Sequence, residues 1–83
     1  MRILSVHVAR RPYTVGSNVT QEFIYDATRF VPCTSSMIHA FDTARNESLT
    51  SEYVYVIQWF SIDPNPGAQV IAHFAHGQLV HCI

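Results

Sequence analysis

A chain of 83 residues is long enough for one domain and too short for two, and a domain of this size buries only a modest share of its surface. Hydrophobic residues make up 48% and charged ones 13%, which supplies a core and excludes the low-hydrophobicity, high-charge composition of a disordered chain. Five arginines, no lysine and six carboxylates give a formal charge of −1, which excludes a dedicated nucleic-acid surface built to neutralise phosphates.

Residues 2–9 alternate, with Leu4, Val6 and Val8 on one side and Ser5, His7 and Ala9 on the other, the period of a half-buried strand. Arg10-Arg11-Pro12 ends it. Gly16-Ser17-Asn18 is a turn signal, because Gly and Asn tolerate positive φ, and it predicts a hairpin over residues 13–23. The stretch from Thr20 to Val31 fits two periods at once. Phe23, Ile24, Ala27, Phe30 and Val31 form a helical stripe, whereas Phe23, Ile24, Tyr25 and Thr28 favour a strand, which is the reading adopted.

Pro32 breaks the run and Thr34-Ser35-Ser36 offers capping hydroxyls. A helix over about residues 35–46 follows, with Met37, Ala40, Phe41 and Ala44 at i, i+3, i+4 and i+7, and with Arg45 at the negative end of its dipole. Residues 53–62 are β-branched and aromatic almost throughout, a central strand, and residues 63–67 are a stiff turn. Two short strands, 70–75 and 78–83, are joined at His76-Gly77. The predicted fold is α+β: a small, mostly antiparallel sheet in the order ββ(β)αβββ with one helix packed on one face, forming a single domain over residues 1–83.

Candidate chemistry is sparse. His73, His76, His81 and Cys82 resemble zinc ligands in type. With a two-residue turn at His76-Gly77, His73 lies opposite Val80 and His81 opposite Ala72, on different faces, so one metal cannot hold both. His73 and Cys82 share a face in that register and need His7 as a third ligand. Cys33, just before the helix, and Cys82 are read as buried, reduced thiols, since two cysteines are too few for a disulfide framework. No phosphate loop, calcium loop or paired-carboxylate motif is present, so no cofactor, metal or catalytic residue is assigned, and a catalytic role is disfavoured. The sequons at Asn18 and Asn46 are chance matches in a chain without a secretory signal, and no run approaches the length of a membrane span. The expected setting is cytoplasmic, with neither nucleic acid nor membrane as partner.

The aromatic strand carries the functional expectation. Tyr53, Tyr55, Ile57 and Trp59 line one face and Val54, Val56, Phe60 and Ile62 the other. One helix of about 11 residues, roughly 17 Å long, covers part of one face only. The second face then needs another chain, because large apolar patches rarely stay wet and Tyr and Trp are favoured at interfaces. Tyr53, Tyr55, Ile57 and Trp59 are therefore the expected partner-binding residues of a homodimeric, non-catalytic protein-binding module. Such a module would be a small inhibitor or adaptor that occupies a surface of a larger protein, as phage anti-defence (anti-CRISPR-type) inhibitors do. The alternative is a small dimeric enzyme or ligand-binding protein with a pocket lined by Tyr53, Tyr55, Trp59, His7 and His73.

Overall fold

The computed structural model describes residues 3–32, 35–60 and 67–83. Its elements in chain order are β1 (Ile3–Ala9), α1 (Gln21–Asp26), β2 (Ala27–Pro32), α2 (Met37–Glu47), a single 3-10 turn (Ser48–Thr50), β3 (Val54–Phe60), β4 (Gly67–Ala75) and β5 (Gln78–Cys82). The five strands form one antiparallel sheet in the order β2-β1-β3-β4-β5. This is the expected α+β architecture. No helix among the described residues is long and apolar enough to cross a membrane.

Helix α2 starts at Ser36, whose hydroxyl accepts the His39 N–H at 3.2 Å. It buries Ala40 and Ala44, small residues that bring its axis close to the sheet, over Leu4, Val6, Val54, Val56, Ala72 and Phe74. The Phe41 ring meets Phe74 edge-on at 5.5 Å, and the Arg45 guanidinium lies 5.9 Å from the Phe74 centroid. The buried Ser48 ties the end of this unit to the sheet: its hydroxyl donates to the Arg45 carbonyl at 2.8 Å and accepts the Gly77 N–H at 2.9 Å.

The chain itself covers much of the opposite face. Residues 10–20 form no hairpin; they drape across the sheet as a strap, and Tyr13, Val15, Val19 and the buried Phe23 of α1 close over Tyr55, Ile57, Ala68 and Val70. The strap hooks onto the outer edge of β4, where β5 has ended. Gly16 N–H donates to Val70 O at 2.7 Å, Val70 N–H to Ser17 O at 3.0 Å and Val19 N–H to Ala68 O at 2.8 Å. Gly16 makes the turn with φ of 95°, open to glycine at little cost. A buried hydroxyl holds the strap from beneath, since Tyr55 Oη accepts the Tyr13 N–H at 2.7 Å. Tyr13 Oη in turn donates to Asp26, which Arg11 grips at 2.8 Å. These bonds hold the Asp26 carboxyl below its ordinary range, the Tyr13 hydrogen bond first and Arg11 after it.

Two expectations change as a result. β1 is covered on both sides, so Ser5 and His7 are buried instead of half-wet. The segment read as a strand over residues 20–31 is divided: Thr20 caps a six-residue helix by accepting the Phe23 N–H, and the extended run starts only at Ala27.

Candidate functional site

Within β1, residues 5 and 7 face the strap side and meet β3 at Ile57 and Tyr55. Trp59, two residues on from Ile57, lies over Ser5. Its Nε1–H donates to Ser5 Oγ at 2.7 Å, and Ser5 Oγ is 2.9 Å from His7 Nε2. A hydroxyl that accepts the indole N–H keeps its own proton and a second lone pair, so the direction of the Ser5–His7 bond follows the imidazole tautomer. In either tautomer Nδ1 is buried and has no hydrogen-bond partner among the described residues. Burial of His7, 3% exposed, pushes its pKa down from 6.5 to about 4, because the buried imidazolium loses its hydration.

A serine hydroxyl on a histidine nitrogen has the spacing of a nucleophile and its base. Three facts argue against that chemistry. Ser5 is buried, its oxygen is engaged by Trp59, and His7 is a poor base with no carboxylate on Nδ1. The network is a structural one that fixes the Trp59 ring. Beside it, His7, Ile24, Phe30 and Trp59 line a cavity of about 270 Å³. Phe30 stands edge-on to the His7 ring at 4.8 Å.

The four residues expected at a partner surface are split by the fold. Tyr55 and Ile57 are fully buried beneath the strap, while Tyr53 and Trp59 are half-buried. The premise that this face lacks cover is corrected, because the strap residues supply it. The sequence-expected pocket is divided as well. His7 and Trp59 share a cavity, whereas His73 stacks on Tyr55 at 4.8 Å and on Tyr53 at 6.3 Å, with its Nε2–H donating to the Glu52 carbonyl at 3.0 Å. Burial raises the Tyr55 pKa.

The register of the β4–β5 hairpin also differs from expectation. Ala75 faces Gln78 and Phe74 faces Leu79, but a bulge after Phe74 sets His73 opposite His81 and Ala72 opposite Cys82. The two histidines therefore share the strap face, and Cys82 belongs to the helix face. No group of three metal-ligating side chains exists among the described residues. Cys82 is free and exposed, not buried, and Cys33 lies outside the described residues.

The feature that sequence reasoning missed is the sheet edge. Every residue of β5 is exposed, and Leu79, Val80 (56%) and Ile83 (71%) carry large apolar side chains there. Helix α2 packs over β1, β3 and part of β4 and stops short of β5. A groove of about 440 Å³ lies between them, lined by Met37, Phe41, Ile71, Cys82 and Ile83 with Gln58 and Gln69. A signal was present: residues 78–83 contain neither charge nor proline, the usual protection of an edge strand.

No protein-family model, curated protein or solved structure matches the chain.

Proposed function

We propose that the chain is a non-catalytic protein-binding module whose contact surface is the β5 edge, with a second copy of the chain as the partner there. The observation that carries this reading is the edge itself, a fully exposed strand with no charged residue and no proline, bulged at Val80 and next to an apolar groove. Two copies would pair antiparallel along this edge about a two-fold axis, the commonest closed symmetry for soluble oligomers. No carboxylate, lysine or arginine stands on β5 to oppose that pairing. The two sheets continue as one, and the outward backbone groups of β5 gain partners.

The role of a small inhibitor or adaptor, with this dimer occupying a surface of a larger protein, belongs to the same reading. So does a cytoplasmic setting, with which an exposed free thiol at Cys82 on the paired edge is in keeping. Light scattering across a range of concentrations tests the pairing. The wild type should run at about twice 9.4 kDa, and Val80→Lys, which adds an ammonium group to each paired edge, should run near 9.4 kDa with an unchanged circular dichroism spectrum. A wild type that stays at 9.4 kDa at several hundred micromolar overturns the proposal.

A further inference from the structure

The cavity beside His7 lies on the strap face at the β1–β2 end of the sheet, away from the β5 edge and from the groove beside α2. Four different elements build it: β1 gives His7, α1 gives Ile24, β2 gives Phe30 and β3 gives Trp59. Three of these side chains are flat rings. Trp59 is held in place by its bond to Ser5, and Phe30 is set edge-on against His7, so the walls are formed before anything enters. Ile24 and Phe30, 48% and 52% exposed, stand at its rim and leave apolar surface in water that one inserted ring system would cover.

The polarity of the site is as informative as its shape. The indole N–H and the Ser5 hydroxyl are already consumed by each other and by His7 Nε2, so neither is free for a polar ligand. None of the four lining residues carries a charge at neutral pH, and an ionised ligand would lose hydration without gaining a counter-charge. An apolar cavity of about 150 Å³ accepts a single benzene ring, so a volume of about 270 Å³ suits a fused bicycle. It is too small for a helix or a strand. From these walls, this volume and this lack of charge we infer that the cavity is a binding site for a neutral, flat, one- or two-ring aromatic small molecule.

Indole is the probe, with indole-3-carboxylate as its charged counterpart. The chain has one tryptophan, so a single side-chain indole N–H resonance reports on the cavity floor. Titration of the ¹⁵N-labelled, ¹³C-methyl-labelled full chain with indole should shift the Trp59 Nε1–H and Ile24 methyl signals to saturation, with a Kd at or below about 1 mM, a reasonable strength for so small a ligand. Indole-3-carboxylate should bind at least tenfold more weakly. Phe30→Ala should weaken indole at least tenfold, and so should Ile24→Glu, which sets a carboxylate at the rim. Both positions are half-exposed, so the melting temperature of each variant is the check that the fold is intact; if one variant is unfolded, the other decides. Shifts that do not saturate, equal binding of the carboxylate, or undiminished binding by a folded Phe30→Ala would overturn the inference. Shifts of the same two signals on protein dilution, with none on adding indole, would also overturn it and make this corner a contact between copies. Because Val80→Lys leaves the cavity untouched, the indole titration repeated on that variant separates this inference from the dimer proposal.

Discussion

Acid should weaken this fold earlier than its carboxylates alone would, and His7 is the reason. The imidazole is buried between Phe23, Phe30 and the Ser5–Trp59 pair with no carboxylate beside it among the described residues, and its pKa falls from 6.5 to about 4. Between those two values the unfolded chain binds a proton that the folded chain refuses, so stability rises with pH across that interval. The contribution is fully present above pH 6.5, drains as the pH falls, and is exhausted near pH 4. Its size is ~3 kcal/mol, at about 1.4 kcal/mol per pH unit, a large share of the 5–15 kcal/mol typical of a domain. Asp26, whose pKa is depressed, contributes stability present above its ordinary 3.8 and lost below it, outside the His7 interval. Urea unfolding at pH 7.5, 6.5, 5.5 and 4.5 gives the slope, and the ring resonances of His7 give its pKa in the folded state. His7→Gln keeps an acceptor for the Ser5 hydroxyl and removes the titration, so its curve should be flat over the same range. A wild-type curve as flat as that of His7→Gln, or a folded-state His7 titrating near 6.5, would refute the reasoning.

The strap should loosen without the Tyr55 hydroxyl. Tyr55→Phe removes the acceptor of the Tyr13 N–H and should cost about 1–2 kcal/mol in urea unfolding, and amide exchange should accelerate at Tyr13 and Gly16 more than in α2. At the β4–β5 turn, Gly77 has φ of 79°, and a methyl group there would sit 2.9 Å from Leu49 Cδ2. Gly77→Ala should therefore destabilise by about 1 kcal/mol or more, with a smaller loss in the Leu49→Ala background, where the steric part is relieved.

The sequence made legible those elements whose residues obey one period. Leu4, Val6 and Val8 alternate and form β1; Ala40, Phe41 and Ala44 recur helically and lie on the inner face of α2; His76 and Gly77 both adopt positive φ and close the hairpin as read. What resisted reading was the segment from residue 10 to residue 31. Tyr13, Val15 and Val19 do stand at alternate, half-buried positions, but Gly16, Ser17 and Asn18 break the apolar alternation and read as a turn, while the segment is in fact draped and held by three backbone bonds to β4. Ile24 and Phe30, which look like one stripe, belong to a helix and a strand and meet at a cavity. Thr20 is the local clue, a capping hydroxyl three residues before Phe23. The bulge beside His73 left no mark either, since neither glycine nor proline stands near it in β4 or β5, and one extra residue on β5 was enough to bring His73 and His81 together. The candidate site was legible only in part: His7 and Trp59 were both suspected, but the hydroxyl of Ser5 that joins them was not.

The strand order also bears on how the chain reaches this state. β3, β4 and β5 follow one another as neighbours, so their pairings close short loops and can form early. β1 is near the start of the sequence yet sits inside the sheet, between β2 and β3. Its pairing with β3 comes with the Trp59–Ser5 bond, which joins residues 54 apart in sequence, so this half of the sheet closes the longest loop. Leu4, Val6 and Val8 therefore gain one neighbouring strand, β2, by a shorter loop, and their second, β3, only when that long one closes.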